Sequence, residues 1–234
     1  MEKTYNNISY FFIAIWITAL VGFHLTYTVF LPDFKAFTWM QHFHGAMLMA
    51  WFFMLIVQPF LIKYKKYEWH RTIGKLGYVL APLVVFSIFE VTKMVYFREV
   101  AHRPENEVLS QLSLDIPAIF TFAFFAAMAF IYKKKSATHM RYMIATSLLM
   151  IGPGLGRALI IFGGIPFPVS VSVVLYLATF LSLVFLFFDW RAKRDIKPFT
   201  TITIAIAINL LCWVFQTSAW WVGFAKGFVQ LFFT

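Results

Sequence analysis

The 234-residue chain has one cysteine, Cys212, and only 13% of its residues are charged. A single cysteine excludes an intrachain disulfide and any cysteine-rich metal or iron–sulfur cage. Acids are scarcer than bases, ten Asp and Glu against twenty Lys and Arg. The chain also lacks internal repeats, low-complexity tracts and any polar stretch long enough for a soluble domain. What it has instead is apolar mass: 61% of residues are hydrophobic, thirty are phenylalanine, and the mean hydropathy is +0.76. One soluble core cannot hide that much apolar surface, so lipid must cover the outside.

Apolar runs of about twenty residues read as membrane spans. Seven are expected, at residues 10–31, 39–62, 73–97, 109–132, 140–162, 168–188 and 199–222. The first nine residues carry little charge, the first run is of span length, and no small-residue cleavage site follows it. The first helix is therefore expected to be retained and not removed as a signal peptide. The expected fold is all-α: a polytopic membrane bundle of seven transmembrane helices forming a single domain over residues 1–234.

Short cytoplasmic loops collect lysine and arginine, which sets the orientation. Lys3, Lys63, Lys65, Lys66, Arg71, Lys75, Lys133, Lys134, Lys135, Arg141, Arg191, Lys193, Arg194 and Lys197 all fall on one side. Lys35, Arg98, Arg103 and Lys226 fall on the other, and Lys93 and Arg157 lie within spans. The expected topology is multi-pass in the cytoplasmic membrane, N-terminus cytoplasmic and C-terminus outside. Spread over short membrane-flanking loops, the formal charge of +10 points to anionic lipid headgroups and away from nucleic acid.

Polar residues inside the spans gather at one depth. A rise of about 1.5 Å per residue places His24, His42, His44, Glu90, Lys93, Asp115 with Gln111, Arg157, and Gln216 to Ser218 in the outer leaflet. Charged groups at membrane depth are costly and face protein or water, so six helices contributing to one layer indicate a pocket opening outward. On the second span His44, Trp51 and Gln58 recur every seven residues, marking one face from the pocket towards the cytoplasm. Such a stripe also serves ordinary helix packing, Glu90 and Lys93 could form a local ion pair, and Asp115 and Arg157 could simply pair across helices.

Imidazoles and carboxylates on helices suit a transition metal, zinc, iron or copper. The candidate ligands are His24, His44, Glu90 and Asp115, with His42 as alternate. Haem b would instead use one or two histidines, with Arg157 or Lys93 for its propionates. On the cytoplasmic side His70 and His139 open the third and fifth spans, either as solvated helix-start residues or as a haem or headgroup site. The segment Gly152-Pro153-Gly154-Leu155-Gly156 is the candidate broken helix, where small residues equally allow close helix packing.

His44, Gln58, His70-Arg71-x-x-Gly74-Lys75 with Tyr78, His139-x-Arg141-Tyr142-Met143 and Arg157 together resemble a family of bacterial membrane proteins known only as a domain of unknown function. The likeness covers roughly residues 41–165 and brings no activity with it. A weaker likeness is to the ascorbate-type di-haem cytochromes b. There His44, His70 and His139 match three of the haem-bearing helices, while the span at 109–132 has no histidine. Three functions are expected in turn: a redox protein holding a metal or haem in the outward pocket, a proton-coupled small-solute transporter or channel using the same pocket, or an intramembrane metal-dependent lipid hydrolase with Glu90 or Asp115 as base.

Overall fold

A computed structural model describes Glu2, residues 5–33 and residues 35–233. Lys3, counted above among the basic residues of one side, lies outside the described residues. No strand occurs among those described, and ten α-helices follow one another: α1 Ile8–His24, α2 Trp39–Lys63, α3 Tyr67–Gly74, α4 Gly77–Val100, α5 Glu105–Ile131, α6 Ser136–Leu149, α7 Ile151–Gly163, α8 Phe167–Arg191, α9 Lys197–Val214 and α10 Ala219–Phe232. Among the described residues six segments are long and apolar enough to cross a membrane: α2, α4, α5, the α6–α7 pair, α8 and α9. The protein is a multi-pass membrane protein with a helical-bundle fold.

Local chemistry explains most helix ends. Thr38 and Gln41 form a capping box at the start of α2, the Gln41 N–H donating to Thr38 Oγ1 (3.4 Å) and the Thr38 N–H to Gln41 Oε1 (2.8 Å), which satisfies two amide donors the helix cannot. Pro104 precedes α5, whose first turn carries Glu105 and Glu107 against the positive end of the helix dipole. Gly164 ends α7 in the left-handed region at φ 63°. There a side chain would be strained.

The expected span at 140–162 is two helices. Leu149 closes α6, Met150 is the joint and Ile151 opens α7. Pro153 has no N–H to give the Leu149 carbonyl, and its ring crowds that carbonyl, so the ladder fails one turn before the proline. Beyond the joint α7 packs chiefly on α1 and α8, while α6 lies among α2, α5, α8 and α9. The glycines serve packing as well: a Cβ on Gly154 would lie 2.5 Å from Ala19 Cα, so the α1 and α7 backbones touch.

Two expected spans are cut shorter. The run at 10–31 is helical only to His24, and α1, at 17 residues, is about 26 Å long by the helical rise. The run at 199–222 divides at Phe215 to Ser218. Ser218 Oγ accepts from the Trp221 N–H (3.4 Å) and caps α10, which packs across α5 and the end of α4 through Trp221, Ala225, Phe228 and Phe233. Conversely, the third expected span divides between α4 and the separate amphipathic helix α3.

All basic loops meet at one end of the bundle, called here the basic end. At mid-depth the interior is dry and closely packed: Trp51, Leu55, Val84, Phe125, Ile144 and Leu148 belong to one buried cluster, with Trp51 fully inaccessible.

Candidate functional site

Burial changes along the fifth span at the α6–α7 joint. Around α6 the bundle is tight, with Arg141, Tyr142 and every residue from Ile144 to Leu148 buried. Past the joint only Ile151, Gly154 and Gly156 of α7 are buried. On α2, all buried residues lie from Trp51 towards the basic end. Towards the end remote from the basic loops, burial passes instead to α4, α5 and α10, where Tyr96, Leu109, Leu112, Ile116 and Trp221 form a second packed cluster.

His44 of α2 reaches α4, its Nδ1 3.0 Å from Ser87 Oγ. The Ser87 hydroxyl donates to the Val84 carbonyl (2.8 Å). Ser87 Oγ is therefore the acceptor towards His44, which puts the imidazole proton on Nδ1 and leaves Nε2 as an acceptor. Glu90 lies three residues beyond Ser87 on the same helix face, half-buried like Lys93. Arg157 folds back so that Nη1 donates to the Pro153 carbonyl (2.9 Å), and its guanidinium rides over the Phe23 ring at 4.3 Å. His44 and Asp115 each lie within reach of the Arg157 charge. Among the described residues no direct ion pair joins Asp115 to Arg157. His44 and Asp115 thus share the field of Arg157, while Glu90 and Lys93 are placed by their positions on α4 alone.

His24 and His42 stand apart from this group. His24 Nδ1 is 3.0 Å from Thr28 Oγ1, on a shallow groove of about 320 Å³ formed with Leu20, Val21, Thr28 and Phe162. His42 makes a short hydrogen bond through Nδ1 with the Tyr27 hydroxyl and lies against the Phe37 ring. Among the described residues no three His, Cys, Asp or Glu side chains converge in an arrangement able to hold a metal ion.

At the basic end the α2 stripe meets the second histidine pair. Trp51 Nε1 donates to Thr146 Oγ1 (3.1 Å) in the dry middle. One further step along, the Gln58 amide satisfies its neighbours when its nitrogen donates to His70 Nδ1 and the His70 carbonyl (3.1 Å) and its oxygen accepts from the Gly74 N–H (3.3 Å). His70 then carries its proton on Nε2. His139 Nδ1 donates to the Ala129 carbonyl (2.8 Å), leaving its own Nε2 as an acceptor. The two rings are electrostatic neighbours. Burial, followed by His139, holds His70 below the ordinary histidine range.

One polar assembly escaped the sequence reading. Arg141 and Asp189, 2% and 0% accessible, form a bidentate pair through Nε–Oδ2 (2.5 Å) and Nη2–Oδ1 (2.9 Å). Glu2 bridges Arg141 (3.0 Å) and Arg194 (3.1 Å), and the Tyr5 hydroxyl donates to Asp189 Oδ1 (2.9 Å). Burial, then the Asp189 charge, pushes the Tyr5 hydroxyl well above its usual range. Two arginines match two carboxylates and the hydrogen bonds are saturated, so this network fastens the N-terminal segment to α6 and α8. The one signal for it was an acid, Asp189, closing an apolar run at the basic end.

No protein-family model matches the chain, and no curated protein or solved structure does. The class rests on the fold alone: a multi-pass helical membrane protein with polar stations at both ends of a dry core.

Proposed function

We propose that the protein is a proton-coupled transporter of a small solute in the cytoplasmic membrane. In this reading α1 is the seventh span, and the basic end and N-terminus are cytoplasmic. The observation that carries it is the interior line of α2. His44 stands against Ser87 in the half remote from the basic loops, Trp51 in the sealed middle and Gln58 against His70 at the basic end, about 21 Å from His44 by helical rise. Titratable groups on both sides of a dry barrier are what alternating access requires, and a helix broken at membrane depth supplies the moving part. The joint at Met150 lies beside that barrier.

The test uses purified protein in vesicles loaded with a pH-sensitive dye, challenged with pools of sugars, amino acids, carboxylates and nucleosides. The expected result is a solute-dependent internal pH change that is lost in His44→Ala. If no pool moves the internal pH, coupled transport is wrong.

A second reading, redox chemistry with haem b or a transition metal, draws on the inner histidines. His139 has its Nδ1–H donating to the Ala129 carbonyl and its Nε2 free, the arrangement that orients imidazole ligands. Visible absorption and metal content of the purified protein test it, with absorbance or stoichiometric metal lost in His139→Ala as the supporting result.

A further inference from the structure

We propose that Arg141 and Arg194 form a site for a phosphate-bearing anion at the basic end, and that the Glu2 carboxylate fills it in this structure as a tethered substitute. Such a site needs no transported solute and holds whether or not the protein carries one.

Two guanidinium groups define the site. Arg141 Nε and Nη2 hold Asp189 at 2.5 and 2.9 Å, and Nη1 also donates to the Ala137 carbonyl at 2.8 Å. The N–H groups left over on Nη1 and Nη2 go to Glu2 Oε1 (3.2 Å) and Oε2 (3.0 Å), so Glu2 takes the last two of the five donors. Arg194 Nε closes on the same Glu2 Oε2 at 3.1 Å. An end-on fork with a second guanidinium beside it fits the oxygen pair of a phosphate as well as that of a carboxylate.

The two acids of the network are not equivalent. Asp189 is wholly inaccessible, belongs to α8 and accepts from both arginines and from the Tyr5 hydroxyl. Glu2 is 28% accessible and lies ahead of α1. Tyr5, stacked on Phe185 and Phe199 and bonded to Asp189, anchors the segment without help from the Glu2 side chain. The Glu2 carboxylate can therefore swing out while Tyr5 stays. Two arginines against Asp189 alone then leave one positive charge uncompensated in a partly buried place, which is costly unless another anion enters.

Charge and position select that anion. A phosphodiester carries one negative charge and replaces Glu2 like for like. Asp189 is followed by Trp190 and Arg191, both exposed, the aromatic and basic pairing of a membrane interface, where headgroup phosphates lie. Free phosphate shares the chemistry and is separated from lipid by experiment.

The purified full chain in detergent is titrated by calorimetry with inorganic phosphate and with dihexanoyl phosphatidylglycerol, dihexanoyl phosphatidylcholine serving as the uncharged control. A short tether holds its competitor at an effective concentration of about a millimolar, so Glu2→Ala should tighten binding of a phosphate probe on the order of tenfold. A gain for phosphatidylglycerol alone places a lipid headgroup in the site, and a gain for inorganic phosphate places a free anion there. Adding Arg194→Gln to Glu2→Ala should erase the gain. Should that double variant fail to fold, the contrast with phosphatidylcholine in Glu2→Ala still decides. The proposal is overturned if Glu2→Ala binds neither phosphate probe more tightly than the unmodified chain, if phosphatidylcholine gains equally, or if the gain survives Arg194→Gln.

Discussion

Gly22 and Gly154 hold α1 and α7 in backbone contact: a Cβ on Gly22 would stand 2.0 Å from the Gly154 carbonyl oxygen. No rotamer change relieves such a clash, because the obstructing atom is main chain. Gly154→Ala must push the two helices apart, and overpacking of this kind costs about 1–3 kcal/mol. Gly223→Ala on α10 is the matched control. A Cβ there meets nothing within 4 Å, so the same change should be neutral or stabilise by up to about 1 kcal/mol through helix propensity and unfolded-state entropy. Thermal midpoints of the two variants in one detergent check both signs.

Asp189 should be far more sensitive than its place at the end of an apolar run suggests. Removing it strands the buried guanidinium of Arg141 and leaves the Tyr5 hydroxyl without its acceptor. Loss of one partner from a buried pair costs about 3–5 kcal/mol. Asp189→Ala is thus expected to destabilise strongly and to expose the N-terminal segment to protease. Glu2→Ala, on the accessible rim of the same network, should free the segment at a much smaller cost.

These particulars show where sequence reading succeeds and where it stops. The span expected at 39–62 is α2 almost to the residue, because a capping pair opens it and lysines close it. The run at 168–188 lies within α8, which Pro166 and Pro168 open and Arg191 closes. Hydropathy missed the first turn of α5, where Glu105, Asn106 and Glu107 are helical behind Pro104 although polar. It also joined α9 to α10, because nothing apolar or polar in average marks a cap as small as Ser218. His44, Asp115 and Arg157 were legible as groups at one depth, since depth follows from position along a helix. That Arg141 seeks Asp189, and that His24 turns to Thr28 while His42 turns to Tyr27, depends on how helices rotate against one another. One sequence carries no direct record of that rotation.

Trp51 and Thr146 form the polar contact nearest the sealed middle. Thr146→Val removes the oxygen that accepts from the Trp51 N–H and leaves a buried donor unsatisfied, at about 1–3 kcal/mol. In a Trp51→Phe background the same substitution should cost distinctly less, since no donor remains. A double-mutant cycle on unfolding free energy reads the difference.

Acid should weaken the protein through His70. Its folded-state affinity for a proton is lowered by burial and by the neighbouring His139, so as pH falls the unfolded chain takes up the proton first. Stability is then full above the ordinary histidine range. It falls as pH drops through that range towards the folded value and levels off below it. Unfolding midpoints measured from pH 8 to pH 5 should show this slope, and His70→Gln should flatten it. An unchanged slope in that variant would assign the acid sensitivity to other groups.

Pro153 should control the course of α7 beyond Met150. Replacing it with alanine restores an N–H to meet the Leu149 carbonyl and removes the ring that crowds it, so α6 and α7 can continue as one helix. A continuous helix would shift the outer part of α7 from its seat on α1 and α8 and change the cover over Glu90. The change is read by accessibility. In a Cys212→Ser background, Glu90→Cys should react readily with a membrane-impermeant maleimide, and adding Pro153→Ala should slow that reaction by at least tenfold. Thr38→Cys, at the capped and exposed start of α2, reports whether any slowing is general. Equal labelling of Glu90→Cys with and without the proline would mean that packing of Gly154 on α1, and not the missing hydrogen bond, holds α7 aside.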